Sequence, residues 1–343
     1  MSLLSVITRP VRPQPAAPDR LLSQPLVVAH RGASGYRPEH TLAAYRLAIE
    51  MGADYVEPDL VPTRDGVLVA RHESELSGTT DVSLHPAFAS RFTAKVVDGR
   101  LVRGWFTEDF TLDELKSLRT KERMPRVRAR SKKYDGLFDI PTFDEVLDLV
   151  GRQSRLRGEV VGVCPEIKQP SYFESIGLPS EAPLVASLER HQLNRPNARV
   201  LVQSFESGSL RRLRALLRVP IVQLVGANGP PFDVVTATGL AEIATYADAL
   251  GAAKDMVLPR GHTGWLSGPS DLVDSAHAAG LDVLVWTLRD ENRFMAADFR
   301  SGLGPKRKGH AAAEYAALFD AGVDGVFTDH TDTAVAARET WAG

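Results

Sequence analysis

Ala311-Ala312-Ala313-Glu314-Tyr315-Ala316-Ala317-Leu318-Phe319-Asp320-Ala321-Gly322-Val323-Asp324-Gly325-Val326-Phe327-Thr328 reads as one repeating unit of a fold. Its first eleven residues are mostly strong helix formers. Gly322 then supplies the residue that commonly closes a helix, and 325–328 is a short apolar run of strand type. The same junction occurs at Met51-Gly52-Ala53-Asp54 and at Ala279-Gly280-Leu281-Asp282, each time leading into a strand-like run. A helix that ends in glycine and feeds a short buried strand is the mark of βα units around a parallel sheet.

Working outward from that unit, strands are expected at 26–29, 55–60, 160–167, 200–204, 221–225, 256–258, 283–286 and 325–328. Helices are expected at 41–51, 143–150, 182–191, 207–217, 239–250, 269–279, 311–321 and 332–339. Gly52, Gly151, Gly251, Gly280 and Gly322 are read as helix ends. Eight strands in alternation with helices predict an α/β protein with a TIM (β/α)8 barrel. Residues 73–135 break the rhythm, being too long for an ordinary βα loop, and read as an inserted small subdomain. Residues 1–24, with prolines at 10, 13, 15 and 18, read as an extended tail before a single barrel domain at 25–343. Without tail and insertion the length is near the ~250 residues of a bare barrel.

Of the 343 residues 43% are hydrophobic and 24% charged, enough apolar material for a large core. A formal net charge of -2 gives no general basic field, so nucleic acid is not an expected partner. The lone cysteine, Cys164, allows no intrachain disulfide and reads as a small buried hydrophobe. No apolar run approaches the ~18 residues of a membrane span. The apolar stretch 3–7 is too short for a signal peptide. The chain as written therefore reads as cytoplasmic, and as periplasmic or secreted if a leader has been removed.

In a barrel the strand C-termini form the working face. His30-Arg31-Gly32, Glu57-Pro58-Asp59, His72-Glu73 and Glu166-Ile167-Lys168 all fall there, against the apolar pattern. Strand side chains alternate, so Glu57 and Asp59 share a face about 6–7 Å apart. Glu166 and Lys168 share theirs. Three carboxylates converging in a barrel mouth repel one another unless a cation neutralises them. An all-oxygen set suits Ca²⁺ or Mg²⁺. His30 and His72 are then free for proton transfer, as general acid and base, and Arg31 and Lys168 for the oxygens of a phosphate. The histidines at 40, 85, 191, 262, 277, 310 and 330 read as surface or packing residues. Nine basic residues against one acidic between Lys116 and Lys133, and Pro305-Lys306-Arg307-Lys308, read as solvated surface or as a field drawing anionic diesters to the mouth.

The sequence resembles the glycerophosphodiester phosphodiesterase family through His30-Arg31-Gly32, Pro38-Glu39-His40-Thr41, the run from Gly52 to Asp59, Thr63-Arg64-Asp65-Gly66 and His72. It continues through Pro165-Glu166-Ile167-Lys168, Gln203-Ser204-Phe205, Trp286-Thr287 and the run from Gly322 to Asp329, and so covers almost everything after the tail. The long segment after the second histidine is most similar to the periplasmic type. The resemblance implies His30 and His72 as the acid/base pair and Glu57, Asp59 and Glu166 as ligands of one divalent cation. It implies Arg31 and Lys168 on the phosphate, Phe205 and Trp286 near the glycerol, with core packing the other reading of Phe205, and Glu39 as an orienting or helix-capping neighbour. Glu73 departs from the aspartate common at that place. The implied reaction is metal-dependent hydrolysis of a small-molecule glycerophosphodiester to glycerol 3-phosphate and an alcohol. A phospholipase D-type activity on lysophospholipids would use the same machinery with an apolar groove. A silent binding module would be expected to lack one of the five core residues, and all five are present.

Overall fold

The computed structural model describes residues 24–226 and 232–343; all but Gln24 of the expected tail lies outside the described residues. Among the described residues thirteen strands occur in chain order: β1 Leu26–His30, β2 Tyr55–Glu57, β3 Asp59–Pro62, β4 Leu68–Ala70, β5 Thr93–Val97, β6 Arg100–Gly104, β7 Gly162–Val163, β8 Glu166–Ile167, β9 Val202–Ser204, β10 Ile221–Val225, β11 Ala249–Ala253, β12 Asp282–Leu288 and β13 Gly325–Thr328. The runs expected at 55–60 and 160–167 are each split at a proline, Pro58 and Pro165, which has no N–H to give a ladder. Each pair of fragments still acts as one stave, because β2 pairs with β7 and β3 with β8. From β1 the parallel pairings run through β2/β3, β7/β8, β9, β10, β11 and β12 to β13, which pairs back to β1. The result is the expected closed eight-stave TIM barrel.

Strand periodicity sorts the core. Val27 and Ala29 face outward into the layer shared with the helices, where Tyr45, Ile49, Leu184, Leu210 and Leu318 pack. Leu26 and Val28 turn inward to meet Leu224, Leu284 and Phe327. His30 has the inward parity and ends the strand, which delivers its imidazole to the barrel mouth. Thr142 opens the helix Phe143–Arg157 with a capping box to Glu145, and the left-handed Gly158 closes it.

The structure departs from two of these expectations. The strand expected at 256–258 is a helical turn, Lys254–Val257, and the stave is β11, inside the stretch read as helix 239–250. Ala-Leu-Gly-Ala-Ala has helix-like composition, but pairing with both β10 and β12 overrides it. Gly251 is therefore a strand residue: a Cβ there would lie 2.4 Å from Leu224 Cδ2. Gly151 is likewise internal to the helix Phe143–Arg157, whereas Gly52, Gly280 and Gly322 do sit at helix ends with positive φ.

Between β4 and that helix the chain forms 3-10 turns, the hairpin β5/β6 and a short helix, Leu112–Lys116. Leu76, Val82, Phe88, Phe110, Leu115 and Leu118 gather there with Val61, Val69 and Phe173 in a core separate from the barrel's. Burying each such side chain contributes roughly 1.5–3 kcal/mol, which fixes this segment against the rim. No helix among the described residues is long and apolar enough to cross a membrane.

Candidate active site

The barrel register aligns the polar residues of the mouth in a row. His30 is level with Glu57 across β1/β2, Asp59 with Glu166 across β3/β8, and Glu166 with Gln203 across β8/β9. Glu57, Asp59 and Glu166 are all buried, and each offers an oxygen within 4.8 Å of the others'. Burial comes first in raising the Glu57 carboxyl well above its usual range, with repulsion from Asp59 and Glu166 next. Glu166 is pushed up to about 8, by burial and by Asp59 against the pull of Lys168. Asp59 also feels burial, but Lys168, Arg31 and His40 outweigh it and hold the carboxyl well below the usual range.

A divalent cation fits this set. Asp59 Oδ1 is buried without a hydrogen bond, with Lys168 Nζ 3.7 Å away. The donors are all carboxylate oxygens, the chemistry that hard cations prefer.

The turn after β1 brings Arg31 across the acids. Arg31 and Gly32 both have positive φ, and a Cβ on Gly32 would come within 2.6 Å of the Ala44 backbone, so the turn packs directly on the helix Leu42–Glu50. Arg31 N–H donates to Glu57 at 3.0 Å, its Nη1 donates to Glu39 at 3.2 Å, and its Nε lies 3.2 Å from Asp59. Lys168 Nζ donates to Glu166 at 2.6 Å. Glu39 is thus a holder of Arg31; the helix cap is Thr41, whose hydroxyl accepts from Ala44 N–H.

Both histidines rest on carboxylates. His30 Nδ1 lies 2.5 Å from Asp329 Oδ1, and His72 Nδ1 lies 2.6 Å from Glu73 Oε2. Burial first, then Arg31, lowers His30 to about 4 despite Asp329, so its ring is neutral near pH 7. His72 shifts the same way, from burial and then Arg31 and Lys168, although 36% of its side chain stays open and is better screened by solvent. Both rings line a cavity of about 420 Å³, together with Arg31, Lys168, Phe205 and Trp286. The Phe205 and Trp286 rings meet edge to face, with centroids 5.6 Å apart.

Sequence reading missed several members of this cluster. His40, read as packing, is buried with Nε2 2.9 Å from Asp59 and Nδ1 2.7 Å from Tyr45 Oη; its signal was the Pro38-Glu39-His40-Thr41 run. Gln203 donates to Glu57 at 3.0 Å. Asp329, the last residue of the closing motif, binds His30. Two arginines of the basic run turn inward. Arg123 donates to Glu39 at 2.6 and 2.7 Å and to Glu73 at 2.7 Å. Arg128 donates to Glu291 at 2.7 Å and to Asp329 at 2.6 Å. Nothing local in the sequence separates these two from their seven basic neighbours. Cys164 is buried, and burial pushes its thiol well up, as befits a packing residue.

The family model described as "Glycerophosphoryl diester phosphodiesterase family" matches residues 30–333. A glycerophosphodiester phosphodiesterase of Arabidopsis thaliana is 34% identical over 332 residues, covering 90% of this chain and 84% of that one. One from Bacillus subtilis is 33% identical over 265 residues, covering 74% and 76%. Among solved structures, a phosphodiesterase of Oleispira antarctica in complex with the product sn-glycerol-3-phosphate shares the fold with a TM-score of 0.63 at 22% identity, covering 92% and 97%.

Proposed function

Because the chain belongs to the glycerophosphoryl diester phosphodiesterase family, we propose that it hydrolyses glycerophosphodiesters to glycerol 3-phosphate and an alcohol. The observation that carries this reading is one cavity lined by two carboxylate-held imidazoles and backed by three buried carboxylates. Glu57, Asp59 and Glu166 hold one divalent cation, Ca²⁺ or Mg²⁺. When bound, that ion balances the carboxylates and draws charge from the phosphate oxygens. The segment after His72 favours the periplasmic type of the family, with residues 73–135 an insertion into one catalytic domain at 25–343.

His30 and His72 divide the proton work. With Nδ1–H donated to Asp329 or Glu73, each ring has Nε2 left to exchange a proton with substrate. One imidazole takes the proton of the attacking hydroxyl, whose oxygen bonds to phosphorus. The other, having first taken a proton on Nε2 from solvent, gives that proton to the departing alcohol oxygen as its bond to phosphorus breaks. Where the attacker is the neighbouring glycerol hydroxyl, a cyclic phosphate forms, and water opens it to glycerol 3-phosphate with the two roles exchanged. Where the attacker is water, the product forms in one step. Arg31 and Lys168 hold the non-bridging oxygens, Glu39 keeps Arg31 in place, and Phe205 and Trp286 cover the glycerol carbons.

The test is release of the head-group alcohol from glycerophosphocholine, glycerophosphoethanolamine and a lysophospholipid, with Ca²⁺, Mg²⁺ or a chelator; the first two would also yield glycerol 3-phosphate, the third its acylated form. Cation-dependent release from the first two is expected. Release undiminished by exhaustive chelation removes the metal from this reading, and turnover confined to the lysophospholipid replaces it by the phospholipase D-type activity.

A further inference from the structure

The cavity continues beyond the carboxylates and histidines to a second end that the reaction above does not use. There it is lined by Lys254, Asp255, Arg260, Arg289, Arg293 and Phe294, four cationic side chains against one carboxylate among the described residues. Their charges are not all answered locally. Lys254 is paired with Glu314 at 2.7 Å. Arg260 meets Asp255 through Nη2 at 2.8 Å, and Arg289 meets Asp329 through Nε at 2.7 Å, an acid it shares with Arg128. No carboxylate among the described residues lies within ion-pair distance of Arg293, which is exposed.

Two of the aromatic faces at hand, those of Phe294 and Phe205, are approached by cations. The guanidinium carbons of Arg289 and Arg293 lie 4.8 and 5.2 Å from the centre of the Phe294 ring, and Lys168 Nζ lies 5.9 Å from that of Phe205. A quaternary ammonium head group binds by occupying such faces, and here it would meet them beside like charge. Glycerol is neutral and the scissile phosphate is answered by Arg31 and Lys168, so the second end has no counterpart in a diester with a neutral alcohol.

On the phosphodiesterase reading just given, we propose that this end is an alcohol subsite, and that it selects substrates whose departing alcohol bears a second phosphate group. Guanidinium forks match phosphate oxygens. Arg293 supplies the unpaired charge, and Arg260 and Arg289 supply donors not engaged by Asp255 and Asp329.

The experiment compares kcat/KM for three diesters: glycerophosphocholine, glycerophosphoglycerol, and glycerophosphoglycerol carrying a terminal phosphate. The terminally phosphorylated diester is expected to exceed glycerophosphocholine by about tenfold or more, with the neutral alcohol between them. In Arg293→Glu, folded as judged by circular dichroism, that ratio should fall by about tenfold. A wild-type chain that turns over all three equally overturns the subsite, as does an Arg293→Glu variant that keeps the wild-type ratio. A wild-type chain that releases glycerol 3-phosphate from none of them overturns the phosphodiesterase reading itself, and the subsite with it.

Discussion

Asp329 holds His30 from the far end of the chain: Oδ1 lies 2.5 Å from His30 Nδ1, while Oδ2 accepts from Arg128 at 2.6 Å and from Arg289 at 2.7 Å. The two residues are 299 positions apart and meet because β13 closes the barrel against β1. Arg289 and Arg128 overcome the effect of burial and keep the Asp329 carboxyl well below its usual range, so it stays an acceptor that fixes the tautomer of the ring.

Asp329→Asn should therefore lower kcat by about 10²-fold or more, since the amide can present an N–H to Nδ1 and favour the wrong tautomer. KM for glycerophosphocholine should change far less. A kcat within threefold of wild type would show that the ring needs no such partner.

His30→Ala and His72→Ala should each reduce turnover by about 10²- to 10⁴-fold while leaving divalent-cation binding, followed by calorimetry, in place. Neither imidazole contacts the cation in the proposed site. Wild-type-like turnover in either variant removes that residue from the proton work.

Cation binding should strengthen with pH. The Glu166 carboxyl is raised to about 8 by burial and Asp59, and Glu57 is raised well above its usual range. Without a cation the folded chain keeps protons that the unfolded chain releases near pH 4.5, so this site's contribution to stability falls as pH climbs from there through about 8. The ion must displace those protons, so its affinity should rise by about tenfold per pH unit for each proton displaced. The gain in Tm on adding Ca²⁺ or Mg²⁺ should accordingly be larger at pH 8 than at pH 5.5. An equal gain at both would mean that the carboxylates are already ionised.

Arg123 ties the segment after His72 to the barrel through Glu39 and Glu73. Arg123→Ala leaves Glu39, a mostly buried acid, with Arg31 alone. Losing one partner of such a pair costs about 3–5 kcal/mol when it is fully buried; Arg123 is 29% exposed, so the expected loss is a fraction of that. Both Tm and kcat should fall, because Glu39 positions Arg31 and Glu73 positions His72. Activity unchanged at a lowered Tm would limit Arg123 to a structural role.

Much of this protein is legible in its sequence because the signals are local. Alternation along β1 and along the Glu57-Pro58-Asp59 stave, and glycines such as Gly280 and Gly322 that end helices, follow from backbone geometry that each short segment obeys alone. Barrel, strand ends and carboxylate row come from these. What local signals misread was β11, where alanine-rich composition suggests helix and only the ladders on both sides make a strand. Nor can they reach His40 on Asp59, Asp329 on His30, or Arg123 and Arg128 turned inward from a basic run. Those contacts join residues tens to hundreds of positions apart, and their energies exist only once barrel closure has removed the groups from water and set them at hydrogen-bond distance. Sequence alone thus placed His30, Arg31, Glu57, Asp59, His72, Glu166 and Lys168 at the barrel mouth. Tertiary structure decided which charges answer one another there, and which one, Arg293, is left facing the cavity without an acid partner among the described residues.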